Sequence, residues 1–471
     1  IYTVLSTRAK TILAQTNAQL VFIGPELWKE TENPLFKEDK RLLAGWRKKA
    51  TEEGLQIRIG RWNIPGEPIA VLVDFTPYYN IKNEIYSEAW NLFGVDSLHA
   101  YGDYDEASMF SYAAGKFVEA VVKAGLLEGE SIIYQAHEWM SGLGMLFLKK
   151  ECPEVATIFT THATSIGRSI AGNNKLLYKY FHGYNGDQMA AELSMEAKHS
   201  IEKQSAHGAD CFTTVSMFTD RECKQLLDKP ADVVLPNGFE NDFVPKGAAF
   251  TAKRKEARKV MLNVAGKLLG QEFADDTIIV STGGRYEFRN KGLDIFMDSL
   301  KRLATCALDR EILAYITVPA ANNGARADLV RHLADASQAI DETQWKFSTH
   351  YLEFPQWDPI SQSIRGSVLE SEDSKVKVIF VPSYLNSNDG VFNKNYYEML
   401  VGMDLTAYPS YYEPWGYTPL ESVAFSVTTI TSNLSGFGLW AMKQADHEAV
   451  EVIRRDDNND AYAVEQIVAA V

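Results

Sequence analysis

Short apolar runs rich in β-branched residues recur along this sequence, and the stretches between them carry helical spacing. In the first half the runs are Gln19–Gly24, Pro68–Phe75, Ser131–Ala136, Ala156–His162, Asp210–Val215 and Val233–Leu235. After a charged helix predicted over Lys253–Lys267, the series resumes with Thr277–Thr282, Ile312–Val318, Val376–Val381, Asp404–Tyr408 and Val427–Thr431. Strands separated by helices join through crossovers, which is how parallel sheets are connected. The pattern therefore predicts an α/β fold. Because 471 residues exceed what one ordinary core serves, it predicts two doubly wound, Rossmann-like domains. The boundary is expected near Leu269–Asp275, giving domains 1–268 and 269–471. In open α/β sheets ligands gather beyond the carboxyl ends of the strands, so functional residues are sought there. The stretch Ala321–Lys375, polar and helical in its first half, reads as an insertion in the second domain.

The formal net charge of −15 argues against a nucleic-acid partner, because such binding needs a basic surface to displace counterions. Any anion bound here must be captured locally. No apolar run is long enough to cross a bilayer, so a soluble protein without a membrane partner is expected. Cys152, Cys211, Cys223 and Cys306 lack paired or metal-binding spacing, which points to a reducing cytoplasm. Ile1, Val4, Leu5, Ala9 and Ile12 fall on one face of a helix, so the sequence is expected to start inside an element, and nothing within it leads to an expectation of secretion.

The densest motif is Tyr408-Pro-Ser-Tyr-Tyr-Glu413-Pro-Trp-Gly416-Tyr417-Thr418-Pro-Leu-Glu421, which follows an apolar run and leads into a helix. Thr418, Pro419 and Glu421 have the spacing of N-cap, N1 and N3, which predicts a capping box. A helix start at a strand's carboxyl end offers backbone N–H groups and a positive dipole to a diphosphate. Glu421 as a mere cap and Glu413 as a solvated loop acid is the alternative. A second motif, Gly283-Gly-Arg285-Tyr-Glu-Phe-Arg-Asn-Lys291-Gly, leaves the end of Thr277–Thr282. Arg285 can fork two phosphate oxygens and Lys291 can act as a point charge, unless both are simply surface cations. Lacking G-x-G-x-x-G, the segment is not a dinucleotide fingerprint, which removes a nicotinamide oxidoreductase from consideration.

In the first half, Gln135-Ala-His137-Glu-Trp139 and Thr160-Thr-His162-Ala-Thr-Ser-Ile-Gly-Arg168 each follow an apolar run. Neither has H-E-x-x-H spacing or a cysteine partner, so no metal is predicted, and a hydrogen-bonded structural role suits either histidine. Asn237-Gly238 is a tight-turn signal.

Taken together, these residues resemble the glycogen synthases of the animal and fungal type, glycosyltransferase family 3, which has bacterial members. The resemblance rests on the Tyr-Tyr-Glu413-Pro-Trp-Gly-Tyr-Thr-Pro-x-Glu421 stretch, Thr431-Ser-Asn-Leu-Ser-Gly-Phe-Gly438, the Arg285–Asp294 stretch and Phe159-Thr-Thr-His162-Ala-Thr. Ile1-Tyr-Thr-Val-Leu-Ser-Thr resembles the segment after the family's N-terminal glycine loop.

The resemblance implies a GT-B architecture with the active site in the interdomain cleft. It implies metal-free, retaining transfer of glucose from UDP-glucose to the non-reducing end of glycogen or another α-1,4-glucan, with no cofactor. By the same resemblance Glu413 lies beside the transferred glucose and Glu421 near the ribose, with Gly416, Tyr417 and Thr418 in the donor-binding turn between them. Arg285 and Lys291 match the cations on the diphosphate, and Tyr396 in Asn395-Tyr-Tyr-Glu398 matches the aromatic on uracil, although it could equally be a core aromatic. His162, Arg168 and Asn237 are the first-domain candidates. A homo-oligomer is left open.

Relative to the family, the glycine loop and first strand are expected upstream of Ile1, and Asp460–Val471 reads as the start of a longer helical region. A protein limited to residues 1–471 is expected to be poorly soluble or loosely folded, with low transferase activity. No arginine-rich carboxyl segment is present to suggest activation by glucose 6-phosphate. The competing readings are a sucrose- or trehalose-phosphate-type transferase and a non-catalytic glucan-binding relative.

Overall fold

The computed structural model describes residues 2–29, 31–444 and 448–471, so Ile1 of the opening helical face lies outside the described residues. The chain divides into two compact units, Ile1–Glu240 and Asn241–Val471.

The first unit holds two four-stranded sheets. One is ordered β1-β4-β3-β2, from β1 (Val21–Pro25), β2 (Phe36–Glu38), β3 (Ile57–Trp62) and β4 (Ile69–Val73). Here β1 and β4 are parallel, whereas β3 pairs antiparallel with both β4 and β2. The other sheet is wholly parallel, from β5 (Ile133–His137), β6 (Ala156–Thr161), β7 (Cys211–Thr214) and β8 (Val233–Val234) in that order. The antiparallel β2–β3 pairing departs from the expected run of crossovers. Arg58 and Arg61 interrupt β3 and hide it from a search for apolar runs; Arg58 is held at 3.1 Å by Glu26 and 3.2 Å by Glu38. Helices Tyr104–Lys123 and Trp139–Glu151 pack close enough that a Cβ on Gly144 would stand 1.8 Å from the Ser111 carbonyl oxygen. Phe117, Met145, Phe159 and Phe212 lie in the core of this unit.

The second unit contains β9 (Ile278–Gly283), β10 (Ile312–Thr317), β11 (Asn322–Ala325), β12 (His350–Leu352), β13 (Val376–Val381), β14 (Leu405–Tyr408), β15 (Thr428–Ser432) and β16 (Val450–Ile453). Its six-stranded sheet is parallel throughout, in the order β13-β10-β9-β14-β15-β16. All six residues of β13 are buried, as in a parallel sheet covered on both faces. The chain builds outward through β9, β10 and β13, then returns to the other side of β9 with β14. The topological switch point thus lies between β9 and β14, where doubly wound sheets bind nucleotides. The 321–375 stretch folds around the small antiparallel β11–β12 pair and a buried Arg326–Asp328 ion pair.

The charged helix, observed at Gly247–Leu269, was expected to close the first domain but belongs to the second unit. Arg254 donates to the Met403 carbonyl at 2.7 Å, and Arg258 bonds the Asp404 carboxylate and the Thr277 carbonyl, each at 2.7 Å. Helical periodicity shows that such a face is covered, not by which sheet, so the boundary moves from 268/269 to 240/241. Helix Asp460–Ala470 adds Ala463 and Ile467 to the second core.

Candidate active site

In the second unit the loops after β9 and β14 emerge on either side of the switch point, carrying Lys291 and Glu413. Lys291 Nζ donates to Glu413 Oε2, and the two side chains are only 15% and 16% exposed. Asn290 ties the loops together, its carbonyl oxygen accepting the N–H groups of Tyr411 at 2.9 Å and Tyr412 at 3.1 Å. Around Glu413 the backbone is fixed by its own N–H to the Leu434 carbonyl (3.2 Å) and by Gly436 N–H to the Glu413 carbonyl (3.0 Å). Phe437 N–H and Ser435 Oγ both donate to the Trp415 carbonyl, at 2.6 and 2.9 Å. The Thr431–Gly438 motif is thereby the backing of the glutamate loop. Arg285 stands apart from the Lys291–Glu413 pair: its side chain is 58% exposed and Nη2 lies 3.0 Å from Glu287 Oε1.

The expected capping box of Thr418 and Glu421 is absent. Helix Tyr417–Ala424 starts two residues earlier, after Gly416 at φ 110°, and no side chain caps it. Thr418 is inside the helix, its carbonyl accepting Ser422 Oγ at 3.0 Å. Glu421, freed from capping, accepts the phenol of Tyr397 at 2.8 Å, and Tyr397 stacks on Phe425 at 5.1 Å. A capping box does form nearby, between Asn395 and Glu398, and starts helix Tyr396–Leu400. That Asn-x-x-Glu spacing was a legible signal for Tyr397, which the sequence reading passed over. Tyr396 points its hydroxyl to that of Tyr408 at 3.2 Å.

Burial pushes the Glu421 carboxyl up to about 7, with the Tyr397 bond opposing. The native state thus keeps a proton that the unfolded chain loses near the ordinary carboxylate value. The associated stability is full below that value and is lost as pH rises through about 7. Glu421→Gln should therefore raise the melting temperature by roughly several degrees at pH 8 and leave it nearly unchanged at pH 4. A shift of equal size at both pH values would count against a buried, protonatable carboxyl.

In the first unit, the end of β5 and the loop after β6 bring His137 and His162 together, His137 Nδ1 lying 3.1 Å from His162 Nε2. Burial pushes their imidazoles down to about 3 and about 2, helped by Arg8, so both are neutral near pH 7. Glu138 sits at φ 66°, ψ 166°, a backbone region that is essentially glycine-only. Its Oε1 accepts the His162 N–H at 3.1 Å. Burial, and then Glu202, push its carboxyl up to about 8 while Arg168 opposes. Arg168 lies on helix Ser165–Gly172, whose start Thr164 caps by accepting the Gly167 N–H at 3.0 Å. Asn237 is buried and its Oδ1 accepts from Arg8 Nη2 at 2.7 Å, so it does more than turn the chain. Glu138 and Arg8 were not among the residues chosen from sequence. The Gln135–Trp139 motif contained the first, but a strained glutamate backbone has no sequence signature, and Arg8 reads only as one charge on a helix.

Among the described residues no three His, Cys, Asp or Glu side chains are grouped to hold a metal ion, and no helix is long and apolar enough to cross a membrane. A family model described as glycogen synthase matches residues 1–347 and 329–469. A Neurospora crassa protein named glycogen [starch] synthase is 30% identical, over 93% of this chain and 70% of its own length. Glycogen [starch] synthase isoform 2 of Saccharomyces cerevisiae is 28% identical, over 99% of this chain and 77% of its own. A solved α,α-trehalose 6-phosphate synthase from Burkholderia multivorans superposes with a TM-score of 0.50 at 10% identity, over 96% of this chain and 88% of its own. That likeness concerns the fold alone, the GT-B architecture of two α/β units.

Proposed function

This chain belongs to the glycogen synthase family, and we propose that it is a retaining glucosyltransferase that moves glucose from UDP-glucose to the non-reducing end of an α-1,4-glucan. The observation that carries this reading is the Lys291–Glu413 pair at the switch point of the second sheet, beside an uncapped helix start. Breaking the anomeric C–O bond sends its electron pair to the UDP phosphate oxygen and leaves oxocarbenium character on glucose. Lys291 and Arg285, with the dipole of helix Tyr417–Ala424, stabilise the growing phosphate charge. Glu413 orients glucose and supports its positive charge once Lys291 turns to the diphosphate. The acceptor hydroxyl attacks from the face the phosphate leaves, and its proton passes to that phosphate, which retains the anomeric configuration.

In this reading Glu421 holds the ribose, Tyr396 the base, and Gly416, Tyr417 and Thr418 line the donor turn. His162, Arg168 and Asn237 are the first-unit candidates of this reading. The reading includes no cofactor or metal, since the side chains supply the cations, and it places the enzyme in the cytoplasm.

The test is an assay of this protein with UDP-, ADP- and GDP-glucose on glycogen in excess EDTA, with anomer analysis of the product. UDP-glucose should be the preferred donor, the new linkage α-1,4, and the rate the same with and without chelator. Loss of activity in EDTA with recovery on stoichiometric metal would overturn metal independence. Transfer to a sugar phosphate instead of glucan would favour the sucrose- or trehalose-phosphate type.

A further inference from the structure

The loop that carries Glu413 is held from a third direction, by the segment just after β16, which the proposed chemistry does not use. Tyr411, two residues before Glu413, is 1% exposed. Two guanidinium groups lie over its ring, Arg289 at 4.5 Å and Arg455 at 5.6 Å from its centre. Its phenol donates to Asp457 Oδ1. Arg455 is itself buried; its Nη1 donates to the Pro409 carbonyl and its Nη2 lies 3.3 Å from Asp294. Its backbone N–H is fixed by Asn433 Oδ1 at 2.6 Å. The arrangement requires Gly292, at φ 71°, because a Cβ there would stand 2.1 Å from the Pro409 oxygen and 3.0 Å from Arg455 Nη1.

Three segments distant in sequence, Arg289–Gly292, Pro409–Glu413 and Arg455–Asp457, are thus bolted together around one ring. A buried guanidinium is an expensive filler, since apolar side chains of similar volume stabilise a fold as well or better; what it adds is direction. Here one directed bond ends on the Pro409 carbonyl, in the backbone of the loop that four residues later carries Glu413 to Lys291. Building on the role proposed for that pair, we infer that Arg455 and Tyr411 are positioning residues that set where the Glu413 carboxylate stands relative to Lys291. Neither touches the pair directly in the contacts described above.

Because they act through placement of Glu413, their loss should lower kcat while leaving capture of the donor phosphates nearly intact. Arg455→Lys keeps the charge but loses the fork, and Tyr411→Phe keeps the ring but loses the bond to Asp457. Each should lower kcat about tenfold with the donor KM within about twofold, the scale expected when a reacting group is displaced by a fraction of an ångström. In a Glu413→Gln background, Arg455→Lys should cost no further turnover, because the group it positions is gone. Parental kcat in both single variants would overturn the inference. So would losses that multiply in the Glu413→Gln background, since a general structural role predicts that result. Glu413→Gln alone reports on the underlying role of the pair: if its kcat matches the parent, that role fails whatever Arg455 does.

Discussion

Glu413→Ala should lower turnover by about two orders of magnitude or more while leaving a folded protein. The side chain is largely buried and its visible partner is the Lys291 ammonium, so its removal strips a preorganised charge from the centre of the site. The fold should survive, because the bonds that shape this loop run through the backbone of Glu413 to Leu434 and Gly436, and through Tyr411 and Tyr412 to Asn290. Steady-state kinetics and a melting curve on the same preparation check both halves. A variant with parental kinetics would remove Glu413 from the reaction; one that no longer melts cooperatively would assign it a structural role instead.

Lys291→Ala should be nearly as damaging, and chiefly through the nucleotide. It takes away the less exposed of the two candidate cations and leaves the Glu413 carboxylate largely buried and without its ammonium, where it would repel the donor phosphates. UDP affinity is expected to fall roughly thirtyfold, which is about 2 kcal/mol, alongside a slower transfer step. The double variant Lys291→Ala/Glu413→Gln should recover part of that affinity, because the repelling charge is gone. Arg285→Ala should cost less, since its guanidinium is mostly exposed and is screened by water. Calorimetry with UDP distinguishes these cases. Unchanged affinity in both single variants would exclude the two cations from the donor site, and a double variant no better than Lys291→Ala would refute the repulsion.

The strands of the large sheet and the two chemical motifs were legible because their signals are local. β9, β10, β13 and β14 are short, mostly apolar runs and β15 is rich in β-branched residues, patterns that suit a two-sided parallel sheet. Arg285, Lys291, Glu413 and Glu421 stand out as charges placed just after such runs. Strand β16 lay beyond that reading: its burial alternates around Glu451, and four residues give little periodicity to detect. The capping-box reading of Thr418 and Glu421 failed for a related reason, since spacing admits a cap but cannot weigh it against the Tyr397 phenol, 24 positions away.

What the sequence by itself determined is the α/β class, the presence of two units and the residue types able to bind a diphosphate and face a developing positive charge. All of these follow from local pattern and local chemistry. Tertiary structure alone decided that Lys291 reaches Glu413 across 122 positions, that Arg8 reaches Asn237 across 229, and that helix Gly247–Leu269 packs in the second unit. It alone brought Arg289 and Arg455 over the Tyr411 ring and forced Glu138 into a glycine-like backbone. Such partners are chosen by packing and by the need to satisfy buried charge and hydrogen-bonding groups, which depend on where distant segments come to rest. A residue's own neighbours in the chain carry no record of that choice.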